Sequence, residues 1–139
     1  MKLKTIFTVN YIIGFLFGAG FTLFPTLCSS LMGFNVAGDS SLIARGLGVF
    51  VLGTGVLTFF ARDASKSEAR RAIVLSLFTL YILLILYKVS LNLLYGISFN
   101  LMFALIYIIH TGLVVSYGYF LFGGPREIES QLVPSATHN

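Results

Sequence analysis

Tryptophan is absent, cysteine occurs once, and only five of 139 residues are acidic. Each shortage excludes something. The lone Cys28 rules out an internal disulfide, a Cys-X-X-Cys redox pair and the paired cysteines of a quinone-linked thiol oxidase. It does not report the compartment. The acids Asp39, Asp63, Glu68, Glu127 and Glu129 all fall between or after the long apolar runs. A compact proton-coupled exporter with a carboxylate inside a span is therefore not encoded. A four-helix diiron or dihaem bundle would need several inward His or Glu residues. The chain has two histidines, His110 and His138, and the second lies in the tail.

Charge of either sign is scarce. Charged residues make up 10% of the chain and hydrophobic residues 57%, with a mean hydropathy of +0.93. Soluble domains carry about 25% charged and about 45–50% apolar residues. The chain belongs with membrane proteins, and its length suits one domain of four spans of about 20 residues each. The net charge of +4 is not a nucleic-acid signal. The bases sit at the ends of apolar runs, with no basic patch interleaved with aromatics. Nor do the glycines cradle phosphate, since no strand precedes them and dinucleotide-loop spacing is missing.

Four spans are expected, at residues 6–24, 42–61, 72–94 and 100–122. Met1-Lys2-Leu3-Lys4 looks like the basic start of a signal peptide, but the apolar run after it is too long and no clear cleavage site follows. It reads as an uncleaved helix. Asn10, Gly14, Gly18 and Thr22 recur at i+4 and form one small or polar ridge, within which Gly14-x-x-x-Gly18 is a close-approach pattern. Pro25 stops the helix. Leu27, Leu31 and Phe34 mark the apolar face of a short interfacial helix, with Gly33, Asn35 and Gly38 in a loop after it. Asp39-Ser40-Ser41 offers capping side chains for the second span.

That second span lies within SLIARGLGVFVLGTGVLTFFAR, residues 41–62, thinned by Gly46, Gly48, Gly53 and Gly55. The connector RDASKSEARR, residues 62–71, offers Ser65 or Ser67 as a cap for the third helix. Gly96 and Ser98 form a tight turn before the fourth span, and Gly123-Gly124-Pro125 ends it. Residues 124–139 are a polar tail.

Short connectors make consecutive helices antiparallel, so the fold class is all-α: a transmembrane four-helix up-down-up-down bundle over residues 1–123. Lys2, Lys4, Arg62, Lys66, Arg70, Arg71 and Arg126 gather at one face, against Arg45 and Lys88 toward the other. This predicts cytoplasmic termini and a cytoplasmic tail; the small size of the chain points to a bacterial inner membrane.

No catalytic constellation, cofactor motif or metal-ligand cluster is encoded. Ionisable groups inside spans carry the functional expectation, because they are costly in hydrocarbon. Arg45 lies one turn into the second span. Lys88 lies sixteen residues after Ala72, or ~24 Å along a helix. With Asn92, Asn100, Tyr107 and His110 they define a candidate ligand pocket near the outer face, suited to an anion or lipid headgroup. The competing reading is snorkelling, in which Arg45 and Lys88 simply reach the headgroups. His110, near mid-depth, has three readings: haem ligand, proton relay, or a hydrogen bond to a Tyr or Ser. The last is favoured, since no second haem ligand is in sight. Tyr81, Tyr87, Tyr95, Tyr107, Tyr117 and Tyr119 mark interface belts or line a groove, with belts and packing favoured; Tyr107 and Tyr117 lie on roughly the His110 side.

The acidic-Ser loop leading into ARGLGVFVLGTGVLTFFAR, the short basic connector and a last helix ending SYGYFLFG resemble small four-span membrane proteins of the DoxX type. The resemblance covers about residues 5–123. It implies the four-helix architecture and couples Arg45 with the glycine face; it implies no reaction. The expected role is a non-enzymatic accessory or scaffold subunit that packs against other membrane helices or forms an oligomer. The alternative is a binder or carrier of a lipid or other hydrophobic small molecule. A third expectation is a lipid-modifying enzyme with His110 as base.

Overall fold

The computed structural model describes residues 2–95 and 100–123. Five helices follow one another: α1 Leu3–Leu23, α2 Pro25–Leu31, α3 Asp39–Ala61, α4 Glu68–Tyr95 and α5 Leu101–Gly118, which runs on into a π-helical turn, Tyr119–Gly123. Among the described residues there are no strands. Four helices are long and apolar enough to cross a membrane, and α2 is the short helix expected after Pro25. The chain is a small integral membrane protein with an all-α bundle fold. Its surface agrees, since large apolar side chains such as Leu93 and Ile43 are more than three-quarters exposed, 78% and 76%. In water such a surface would aggregate; lipid solvates it.

Helix boundaries follow local chemistry. Pro25 starts α2, where its missing N–H matters least. Ser67 caps α4, its Oγ accepting the Arg70 N–H at 3.2 Å. Polar residues thus extend α4 four residues before the apolar run at Ala72. Asn100 caps α5 by accepting the Phe103 N–H at 2.8 Å. The start of α3 differs from expectation. Its cap is Gly38, at φ 56°, with no side-chain hydrogen bond to the helix. Ser40 turns back to Ala37 and Ser41 donates to the Gly38 carbonyl at 2.7 Å. Asp39 lies in the first turn, where its charge favours the helix dipole. The turn at Gly96 and Ser98 and the tail 124–139 lie outside the described residues.

The bundle is built from two pairs. α1 packs closely on α3, and α4 packs on α5. Glycine sets the first contact. A Cβ at Gly14 would stand 2.8 Å from Gly55 Cα, and one at Gly18 2.6 Å from the Leu52 amide nitrogen. Those obstacles are backbone, so no rotamer change relieves them. The Gly14/Gly18 ridge is therefore used inside the chain. Of the α3 glycines, Gly48 and Gly55 face α1, while Gly46 and Gly53 have open space around them.

A core joins the pairs. It contains Ile6 and Phe7 from α1, Ala61 from α3, Val74, Leu77 and Tyr81 from α4, and Leu113 and Tyr117 from α5. All but Tyr81 belong to the half of the bundle that holds the N-terminus and the 62–67 connector. Beside it, Lys4 Nζ lies 2.5 Å from Asp63 Oδ1 and Arg62 Nε lies 2.8 Å from Asp63 Oδ2. Hydrogen bonds from Lys4 and then Arg62 hold the Asp63 carboxyl below its ordinary range.

Candidate functional site

The inward face of α4 carries Val74, Leu77, Tyr81 and Lys88, spaced three, four and seven apart. That is helical periodicity, so Lys88 shares the buried stripe of the core residues. On α5, Phe103, Tyr107, His110, Leu113 and Tyr117 follow the same rule. The two stripes face each other. Lys88 Nζ is hydrogen-bonded to His110 Nδ1, and it lies 5.3 Å from the centre of the Tyr107 ring. Lys88 is 9% exposed, and its amine points into the bundle rather than out to the headgroups. The snorkelling expectation therefore does not describe it. The partner of His110 is a lysine, where a tyrosine or serine was expected.

The polar contacts continue toward the connector end. The His110 ring lies 5.3 Å from the Tyr81 ring at 34°. Tyr81 Oη donates to Asn10 Oδ1 at 2.5 Å, and Asn10 Nδ2 donates to Tyr117 Oη at 3.0 Å. The two tyrosine rings stack, 6.2 Å apart and 5° from parallel. Beyond them, Phe7 meets Tyr117 at 6.0 Å, and the Arg70 guanidinium lies 5.7 Å above Phe7. In the other direction Tyr107 meets Phe103 at 5.6 Å, which meets Phe34 at 6.3 Å. A column of rings and polar groups thus runs along the α4–α5 seam, joined by Asn10 and Phe7 of α1, from the loop after α2 to the basic connector end.

Three of the expected pocket residues, Lys88, Tyr107 and His110, come together. Asn92 is half-buried, one turn beyond Lys88 on α4. Arg45 is elsewhere. Its Nη1 donates to the Thr22 carbonyl at 2.7 Å, because α3 is committed to α1. It lines a groove of about 320 Å³ with Leu23, Phe24, Pro25, Thr26, Leu27 and Ser41. Asn100 lines a different groove of about 320 Å³, with Leu31, Leu101, Met102 and Leu105. The residues expected to share one pocket therefore occupy three places.

Asn10 was not expected at the site, and Tyr81 and Tyr117, favoured as belt or packing residues, join it. Tyr81 and Tyr117 are buried, whereas Tyr87 and Tyr119 are exposed as belt residues are. The usable signal was periodicity. Tyr81 sits seven residues before Lys88 and Tyr117 seven after His110, which places each pair on one helix face.

Chemically, the centre of the column is a primary amine against an imidazole. Each can carry positive charge. The acids at the described helix termini, Asp39 and Glu68, stand in the first turns of α3 and α4. Among the described residues the pair thus has a donor and an acceptor but no carboxylate partner. Among the described residues, no three His, Cys, Asp or Glu side chains gather as metal ligands. Compared with protein-family models, curated proteins and solved structures, the chain matches none.

Proposed function

We infer that this integral membrane protein binds an amphipathic anion, a lipid-like molecule with a carboxylate or phosphate end, in the seam between α4 and α5. Lys88 and His110 receive the charged end, and Tyr107 and the neighbouring apolar side chains meet the tail. The observation that carries this reading is the burial of Lys88 against His110 with no carboxylate bonded to either among the described residues. An isolated charge in hydrocarbon is expensive, and such groups face the bundle interior where they serve function. An incoming anion would supply the counter-charge. Lys88 lies seven residues from the end of α4, ~10 Å along the helix, a depth a headgroup oxygen can reach.

The absence of tryptophan makes the test simple. With Tyr87 and Tyr119 replaced by Phe, Tyr81, Tyr107 and Tyr117 report on the seam, and a brominated sixteen-carbon fatty acid quenches them on binding. Lys88→Gln should raise the apparent Kd at least tenfold. Equal affinities for the parent protein and Lys88→Gln would refute the reading.

A second reading, an accessory subunit, is favoured by the outer face of α3. Gly46 and Gly53 leave it thin there, between exposed Leu42, Leu47 and Phe50, as a packing surface for another helix would be. Gly46→Leu with Gly53→Leu should then abolish co-purification of a partner subunit or a second copy; retention would count against it. No reaction is proposed. The DoxX-type resemblance, cytoplasmic termini and a bacterial inner membrane belong to the same proposal; the basic residues at the connector end support the orientation of the termini.

A further inference from the structure

The groove beside Arg45 is separate from the Lys88 seam and has its own chemistry. α1 ends at Leu23, so the Thr22 carbonyl belongs to a last turn whose acceptors need outside partners. Arg45 Nη1 supplies one at 2.7 Å. One turn further along α3, Gly48 lies against Thr22 so closely that a Cβ there would stand 2.5 Å from the Thr22 amide nitrogen. This contact and the Thr22 bond fix where the guanidinium sits. Of its five N–H donors, one is used by Thr22, and the guanidinium has no other hydrogen-bond or ion-pair partner among the described residues. Its planar fork suits a phosphate oxygen pair.

The groove walls match the remainder of such a molecule. Leu23, Phe24, Pro25 and Leu27 are apolar, and Thr26 and Ser41 add hydroxyls. No acid lines the groove; Asp39, two residues before Ser41, is not among its walls. Exposed Leu42 and Ile43 continue the apolar surface along α3. We propose that this groove holds one membrane phospholipid, its phosphodiester on the Arg45 guanidinium and an acyl chain along the Leu23–Leu27 and Leu42–Ile43 surfaces. The charge is complementary, and the occupant is at hand in the leaflet at this end of the bundle.

The test uses the full chain in phosphatidylcholine nanodiscs. Native mass spectrometry after release counts the phospholipid retained. The parent protein and Lys88→Gln should each keep one phospholipid, whatever becomes of the seam. Arg45→Gln and Leu27→Trp, which fills the groove without touching the Thr22 bond, should each retain at least fivefold less. Helix content by circular dichroism checks folding; if Arg45→Gln unfolds, Leu27→Trp alone decides. Unchanged retention in the folded variants overturns the proposal. So does Arg45-dependent broadening of the inorganic phosphate signal in detergent, if phospholipid retention ignores Arg45.

Discussion

Gly48→Ala adds one methyl group at the closest approach of α1 and α3, and its effect can be worked from distances. The new Cβ would stand 2.5 Å from the Thr22 amide nitrogen and 2.6 Å from Thr22 Oγ1. Ordinary contact begins at 3.4 Å, so the helices must part locally by about 0.9 Å. Thr22 N is backbone inside α1 and cannot swing aside. A gap of about 0.5–1 Å forfeits a quarter to a half of each dispersion contact along the interface. Overpacking of this kind costs about 1–3 kcal/mol. We expect about 2 kcal/mol, roughly a 30-fold fall in the ratio of folded to unfolded protein. Gly53→Ala is the matched control. It adds the same methyl to the same helix, with nothing within 4 Å. Helix propensity favours alanine there by about 0.5–1 kcal/mol, so stability should hold or rise. The assay is titration with sodium dodecyl sulfate in mixed micelles, followed by far-ultraviolet circular dichroism. Equal midpoints for Gly48→Ala and Gly53→Ala would refute the close packing of α1 on α3.

Asn10→Leu removes the acceptor of Tyr81 Oη and the donor to Tyr117 Oη at a position 2% exposed. It should destabilise by about 1–3 kcal/mol in the same titration, and by less when Tyr81→Phe and Tyr117→Phe are also present, because no hydroxyl is then orphaned. The Asp63 carboxyl is held below its ordinary range by Lys4 and Arg62, so its contribution is present above the unfolded carboxylate pKa and lost as pH falls through the folded value. The parent should therefore lose thermal midpoint between neutral pH and about pH 3 by more than Asp63→Asn does, by a small margin since the groups are exposed; identical pH profiles would discard the link. In a Cys28→Ser background, an impermeant maleimide applied to intact cells should label Ala37→Cys and spare Ala64→Cys; the reverse pattern would invert the proposed orientation.

The four spans were legible because hydrocarbon thickness and apolar run length are one-dimensional quantities. So was the glycine ridge of α1, since i+4 spacing fixes a face whatever lies opposite. The pairing was harder. Both Arg45 and Lys88 lie toward the α2 end by counting along their helices, and counting along an axis gives depth without azimuth. The azimuth of Lys88 was available from Val74, Leu77 and Tyr81, which share its stripe. The azimuth of Arg45 follows from Gly48, one turn away on the side that meets α1. Neither stripe says which helix it faces, and that choice separates Arg45 from Lys88. The Asn10–Tyr81–Tyr117 bonds join residues 71 and 107 apart in sequence, and no local pattern announces such a partner. Gly38 displaced the expected Ser and Asp caps of α3, because a positive φ is open to glycine and the serines found closer acceptors at Ala37 and Gly38.

The two ends of the seam are held by different forces. Toward the connector, Phe7, Leu77, Leu113 and Tyr117 bury apolar surface between the pairs, and Asn10 adds hydrogen bonds to both α4 and α5. Toward α2, the seam holds Lys88, Tyr107 and His110, and α5 meets the loop after α2 mainly through the edge-on Phe34–Phe103 contact. Inside a bilayer, apolar contact between helices gives little advantage over apolar contact with lipid, so close packing and polar bonds decide which interfaces stay shut. The polar bonds between the pairs are concentrated at the connector half, whereas the closest glycine contacts, Gly18 on Leu52 and Gly48 on Thr22, lie within one pair and toward α2. The α1–α3 contact cannot slide without a glycine clash, and the inter-pair hydrogen bonds sit at Asn10. Separation of the pairs is therefore easier at the end where the amine and imidazole lie.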